Sequence, residues 1–409
     1  MGTSTRVGAR VRKLSTPRIH DLVIRHLNFV EGLENIPREG PVVFVANHSS
    51  YMDHFVTKTL ANAVRPGRVW FPTKAEAFET PLSRIWHESM DCYPVDRSAP
   101  GDEVFRLASQ VLDGGNTLVL YPEGTRGDGV DLMPFKTGAF RMALASKAPV
   151  IPIGMTGLAD VLPKGASLPR RRLLSVSIGE PLAIPDTGDA REDARSMRDE
   201  AVASVEALRQ RSSSSSGPDI GAALDSIIDL ATAIAAENLD PRGTLDAETI
   251  ERLELLLRIA DKTSARRLDL NLQRARLEGF RALRAPGPVR MARAALVNRK
   301  AQRLSDLHAS SDFAAYLAGR SSLMLPRALG GGTEIATLHF ERSVQRAGAM
   351  RSQALIGLGE AHAAAGRSDE AKAAYERGRD SISPGDPRGQ LRRERIDHTL
   401  KALARGEVR

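Results

Sequence analysis

His48 and Asp53 stand five residues apart in Asn47-His48-Ser49-Ser50-Tyr51-Met52-Asp53. A carboxylate on the Nδ1 side of an imidazole fixes its tautomer and leaves Nε2 free to take a proton. On a regular helix five residues rotate by ~500°, which leaves two side chains ~140° apart and unable to meet. They meet if His48 sits in a strand-to-helix turn and Asp53 in the first helical turn. The same stretch also spells a capping box, Ser50-x-x-Asp53, in which the carboxylate merely satisfies helix N-terminal amides. On these residues alone both readings stay open.

Further along, Glu123-Gly124-Thr125-Arg126-Gly127 offers backbone N–H groups at its glycines and, in Arg126, a fork of donors suited to phosphate. The plainer reading is a Gly-rich turn with a salt-bridged arginine. Lys74 and Lys136 could add positive charge. Cys92, the one cysteine, has no base near it in sequence and reads as a small buried thiol. A single cysteine rules out an intramolecular disulfide and an all-cysteine zinc site, and suits a reducing, cytosolic compartment. No His, Cys and carboxylate set has metal-ligand spacing, so no metal is expected. There is no P-loop and no G-x-S-x-G elbow, and Gly330-Gly331-Gly332 reads as a loop.

The elements that must position these residues follow from hydrophobic patterning. Pro41–Ala46 is a continuous apolar run that reads as a buried strand, and Thr117–Tyr121 is a second, after the turn Asp113-Gly114-Gly115-Asn116. Val150–Ile153 is a third, placed near an edge or strand end by its proline. Leu174–Ile178 alternates and is a fourth. Helical patterns lie between, at Asp102–Leu112 and Thr137–Ser146. A last helix spaces Ala194, Met197, Ala201, Val205 and Leu208 along one apolar face.

The chain has 409 residues, which suits two domains, and its 42% hydrophobic and 26% charged residues are those of a folded soluble chain. The clearest boundary is the serine run 212–218, ending in Gly-Pro, which reads as a linker between an α/β part (28–211) and an all-α part (219–409). In the second part Leu355, Leu358, Gly359, Ala371 and Tyr375 fall at the offsets of a tetratricopeptide-like helix pair, echoed by Ala336, Phe340 and Ser343, giving a repeat near 336–384. Such an array serves as a partner-binding surface or as a helical cap. The net charge of +8 suits an anionic partner without choosing one. Residues 1–27 are basic, a peripheral anchor on anionic lipid or, over residues 1–16, a frayed solvated tail. Lys164 with Arg170, Arg171 and Arg172 forms a second basic cluster, a headgroup contact or a solvated loop. No stretch approaches ~20 apolar residues, so no membrane-spanning helix is expected. Basic residues are not interleaved with aromatics as stacking platforms need, so no nucleic-acid partner is expected.

Taken in order, the motifs of residues 28–185 resemble the glycerolipid (lysophospholipid) acyltransferase family. Asn47-His48 with Asp53 is similar to its His-x4-Asp motif. Lys74–Phe78, Tyr93–Arg97, Tyr121–Arg126, Val150–Pro152 and Ile178–Pro181 are similar to the blocks that follow. The resemblance implies a mixed, mostly buried sheet flanked by helices. It implies His48 as general base and Asp53 as its orienter, with Arg97, Glu123, Gly124, Thr125, Arg126 and Lys74 binding substrate. It implies acyl transfer from acyl-CoA or acyl carrier protein, as co-substrate and with no cofactor, to a lysophospholipid hydroxyl, with 1-acylglycerol 3-phosphate as acceptor. It places the protein in the cytoplasm, peripherally on the inner face of the cell membrane. The helical second part lies outside that family pattern. It leaves two alternatives: an O- or N-acyltransferase for another lipid or secondary-metabolite acceptor, and an inactive scaffold with a helical partner-binding domain.

Overall fold

The basic N-terminal segment is helical from Arg6: α1 runs Arg6–His26 and buries Ile19, Val23 and Ile24. This corrects the expectation of a frayed tail for residues 6–16, because Arg12 pairs with the buried Asp91 at 3.0 Å. The computed structural model describes residues 6–96, 101–166, 168–213, 219–240, 243–262, 268–346, 348–386 and 389–405. It contains two compact units, residues 1–230 with 255–265, and residues 231–254 with 266–409. Of the expected linker, Ser212 and Ser213 complete a helix and 214–218 lie outside the described residues.

The first unit continues as β1 (Leu27–Glu31), β2 (Val42–Ala46), α2 (Met52–Val64), β3 (Val69–Lys74), α3 (Pro81–Ser89), β4 (Cys92–Val95), α4 (Gly101–Asp113), β5 (Thr117–Leu120), α5 (Gly138–Ala145), β6 (Val150–Thr156), α6 (Leu158–Val161), β7 (Leu174–Ile178) and α7 (Ala190–Ser213). Among the described residues these strands form one mixed sheet in the order β1-β7-β6-β2-β5-β3-β4. Every neighbouring pair is parallel except β6 with β7. Both faces are covered, so β2 is apolar throughout, β5 is apolar after Thr117, and every residue of both strands is buried. On one face Val43, Val45, Leu118 and Leu120 pack with Phe140, Met197, Ala201 and Val205.

Of the two positions its proline suggested for this strand, an edge or a strand end, the edge is corrected: β6 sits between β2 and β7. Pro152 is tolerated there because its carbonyl accepts from the Gly179 N–H at 2.9 Å, just past the end of β7. Its missing N–H therefore faces the place where that ladder is already ending.

The chain leaves β2 through α2 for β3, and leaves β5 through α5 for β6, so it departs from two neighbouring parallel strands in opposite directions. A crevice at the carboxyl ends of such strands is where open α/β sheets hold ligands. β3 pairs with β5 only at Val69 and Trp70, then turns to pair with β4 from Phe71 onward, which widens the crevice.

Beyond the serine run the chain is helical: α8 (Ile220–Glu237), α9 (Ala247–Ala260), α10 (Leu268–Arg284), α11 (Gly287–Leu307), α12 (Asp312–Leu323), α13 (Thr333–Gln345), α14 (Arg351–Ala364), α15 (Ser368–Asp380) and α16 (Gly389–Ala404). α14 and α15 form a helix–turn–helix pair closed by small residues. A Cβ at Gly359 would come within 2.9 Å of the Tyr375 ring. The Phe340 ring of α13 likewise lies where Cβ atoms at Gly319 and Gly357 would be, at 2.7 and 2.5 Å.

Candidate active site

Asn47 extends the sheet past the end of β2. Its Oδ1 accepts the Met155 N–H at 2.8 Å and its Nδ2 donates to the Met155 carbonyl at 3.0 Å, copying a strand pairing with β6. His48 is thus held at the strand terminus, in the turn that leads to α2. Asp53 lies in the first turn of that helix and is fully buried. Its Oδ2 accepts from His48 Nδ1 at 2.8 Å and from the Ser49 and Ser50 N–H groups at 2.7 and 2.9 Å. One carboxylate oxygen therefore caps the helix and orients the imidazole at once. With Nδ1 donating, the lone pair of the ring is on Nε2. Only the carboxylate half of the capping box forms, because the Ser50 Oγ is used elsewhere: it accepts the Met52 N–H at 3.1 Å and donates to the Leu162 carbonyl at 2.7 Å.

The loop after β5 grips the same histidine by its main chain. Glu123 Oε1 accepts the His48 N–H at 2.5 Å, and the Gly127 N–H donates to the His48 carbonyl at 2.8 Å. Glu123 Oε2 accepts the Met133 N–H at 3.2 Å. Burial pushes the Glu123 carboxyl up, while its N–H donors pull it down. The residue expected to bind substrate thus has both oxygens on backbone amides. Gly124 turns the loop at φ 73°, and Lys136 Nζ lies 2.9 Å from where its Cβ would be. Thr125 is exposed. The Arg126 Cζ lies over the Tyr51 ring, 3.8 Å from its centroid.

Lys74 is exposed at the carboxyl end of β3, on the same sheet edge. Arg97 lies outside the described residues. Cys92 is buried in β4, and burial raises its thiol to about 11, so it stays protonated at neutral pH.

Motif reading singled out neither Tyr121 nor His54 as a site residue. The Tyr121 ring stacks on His48 with centroids 4.2 Å apart and planes at 14°. His54 lies 4.7 Å from Phe71, 5.1 Å from Tyr121 and 5.7 Å from His48, between the diverging ends of β5 and β3. Burial lowers His54 to about 3, so its ring is neutral beside the base. The available signal was positional: Tyr121 directly follows a strand that pairs with the strand leading into His48.

Residues 28–156 match the family model described as Acyltransferase. The chain is 28% identical over 178 residues to a 1-acyl-sn-glycerol-3-phosphate acyltransferase of Bacillus subtilis, covering 44% of this chain and 82% of that protein. It is 31% identical over 140 residues to the chloroplastic 1-acyl-sn-glycerol-3-phosphate acyltransferase BAT2 of Brassica napus, covering 34% of this chain and 39% of that one. It thus spans about two fifths of the length of the chloroplastic relatives it matches. A solved structure, the 1-acyl-sn-glycerophosphate acyltransferase PlsC of Thermotoga maritima, aligns with TM-score 0.38 and 24% identity, over 49% of this chain and 83% of that one.

Proposed function

We propose, from the premise that this chain carries an acyltransferase-family domain over residues 28–156, that it moves a fatty acyl group from a thioester to the hydroxyl of a lysophospholipid. The acceptor is 1-acylglycerol 3-phosphate and the product phosphatidate. Acyl-CoA or acyl carrier protein serves as donor. The relatives' names supply the substrate class, and the site supplies a chemistry to match. An alcohol is a poor nucleophile at neutral pH, so a base must take its proton as attack begins. His48 Nε2 takes that proton, the alcohol oxygen bonds to the thioester carbonyl carbon, and a tetrahedral intermediate forms. On collapse the C–S bond breaks and the imidazolium returns the proton to the leaving sulfur. Asp53 holds the ring and stabilises its charged form. Arg126, with Lys74 and Arg97, receives the acceptor's phosphate.

The observation that carries this reading is the 2.8 Å contact between His48 Nδ1 and Asp53 Oδ2. The test is steady-state turnover by the full-length protein of lysophosphatidate with acyl-CoA and with acyl carrier protein, against a panel of other acceptors. His48→Ala is expected to reduce turnover by about 10²–10⁴-fold, the usual contribution of a positioned base. Equal thioester consumption by the variant would remove the catalytic assignment, and indifference to lysophosphatidate would remove the acceptor.

The same reading puts the protein on a lipid surface. α1 exposes Arg6, Arg10, Lys13, Arg18 and Arg25 at helical spacing, with Val7 and Leu14 between them. It packs on α3, whose Leu82 and Trp86 are exposed. No helix of the described residues is long and apolar enough to cross a membrane. The second unit, with its tetratricopeptide-like pair, serves in this reading as a surface for a protein partner.

A further inference from the structure

We infer that Tyr51 is a positioning residue for the acceptor's phosphate: its ring holds the Arg126 guanidinium in the orientation in which the phosphate meets it. This rests on the acyl-transfer reading above.

Tyr51 lies between His48 and Asp53 in sequence, immediately before α2. The residue is 52% exposed, so filling the core does not explain an aromatic side chain there. The Arg126 Cζ stands 3.8 Å from the ring centroid, well within the ~6 Å at which a ring attracts a cation. Among the described residues no carboxylate pairs with Arg126, and its Nη1 is shielded from solvent with no hydrogen-bond partner. The two acidic groups built into this site are otherwise engaged. Glu123 accepts main-chain N–H groups, and Asp53 accepts from His48, Ser49 and Ser50. The salt-bridged turn that a plain reading of this loop suggests is therefore not what holds the arginine; the ring is.

A guanidinium held over a ring by its charge does not give up its N–H donors to the partner, so they are left for an anion, which an ion pair would not allow. The contact is also tied to the base from both sides. Tyr51 belongs to the turn that Asp53 closes on Ser49 and Ser50. Arg126 precedes Gly127, whose N–H donates to the His48 carbonyl at 2.8 Å. One set of hydrogen bonds thus places the proton acceptor and the anion-binding fork together.

The experiment uses the full-length wild type, Tyr51→Leu, Tyr51→Phe, Arg126→Gln and the Tyr51→Leu/Arg126→Gln double variant. Kinetics are read with lysophosphatidate and with monoacylglycerol, and glycerol 3-phosphate binding is read by calorimetry in parallel. Tyr51→Leu is expected to raise KM for lysophosphatidate and weaken glycerol 3-phosphate binding, each by about tenfold. Turnover number should stay within about twofold, monoacylglycerol kinetics should not change, and Tyr51→Phe should behave as wild type. In the Arg126→Gln background Tyr51→Leu should add nothing. Unchanged glycerol 3-phosphate affinity in Tyr51→Leu overturns the inference. So does an equal loss of turnover on both acceptors at an unaltered melting temperature, which would assign the ring to the turn rather than to the arginine. If the wild type transfers no acyl group to lysophosphatidate, the acceptor assignment fails, and the binding arm still decides the role of Tyr51.

Discussion

At the scale of single residues, the proposed direct attack of the acceptor requires no covalent enzyme intermediate, and Cys92 tests that. Burial raises its thiol to about 11, and thiolate is the nucleophilic form. Cys92→Ala is therefore expected to keep acyl transfer within about threefold of wild type; a loss of about a thousandfold in a folded variant would point to a thioester on the enzyme. The His48–Asp53 spacing was readable from the chain, but not which of its two readings holds, because Asp53 Oδ2 does both jobs. The role of Glu123 was not readable at all. Its bond to the His48 N–H spans 75 residues and exists only because β2 and β5 are neighbours. The same non-local pairing brings Tyr121 onto the imidazole, and no local pattern encodes it.

Among the secondary-structure elements, the apolar runs that became β2, β5, β6 and β7 were legible, whereas β1, β3 and β4 were not. β3 and β4 each carry a proline, at Pro72 and Pro94, which breaks the strand pattern. β4 tolerates its proline as the edge strand. β1 follows α1 with no turn residue to mark it. The α1–α2 contact has a pH signature of its own. His20 of α1 faces the Asn62 amide of α2 through Nε2 at 3.3 Å, near Lys58, Arg258 and Asp21. Burial, then the charges of Lys58 and Arg258, lower His20 to about 4, and burial lowers His54 of α2 to about 3. Above pH 6.5 both rings are neutral folded or unfolded and contribute nothing to pH dependence. Between about 4 and 6.5 only the unfolded chain takes the protons, so stability falls as pH falls, by at most ~1.4 kcal/mol per pH unit for each ring. Urea unfolding at pH 7 and pH 5 should show that loss, and His20→Leu should lose less than wild type between the two. Equal stability of the wild type at both values would contradict the neutral buried rings.

On the scale of the whole molecule, the acyl-transfer reading demands that the protein reach an acceptor dissolved in a bilayer, and its surface offers one face for that. The exposed stripe of α1 carries Arg6, Arg10, Lys13, Arg18 and Arg25, and its one exposed acid, Asp21, is paired with Arg258 at 2.5 Å. At the end of that helix His26 Nδ1 lies 2.8 Å from the Arg172 carbonyl, which joins the exposed Arg170, Arg171 and Arg172 to the same region. Leu168 and Leu173, flanking that cluster, are 79% and 59% exposed, a position that suits insertion among headgroups better than solvent. Each basic residue near an anionic surface contributes ~1 kcal/mol, so the Arg10→Gln, Lys13→Gln double variant should bind phosphatidylglycerol vesicles ~30-fold more weakly. Arg299→Gln, exposed on α11, serves as the control and should bind as wild type does. Screening shortens the reach of such charges, so salt should release the protein from vesicles. Sedimentation with vesicles reads both effects. If the double variant binds as tightly as wild type, or if the protein stays in the pellet through a wash at about 1 M salt, where charges are screened beyond ~3 Å, then apolar insertion rather than the basic stripe holds it to the membrane.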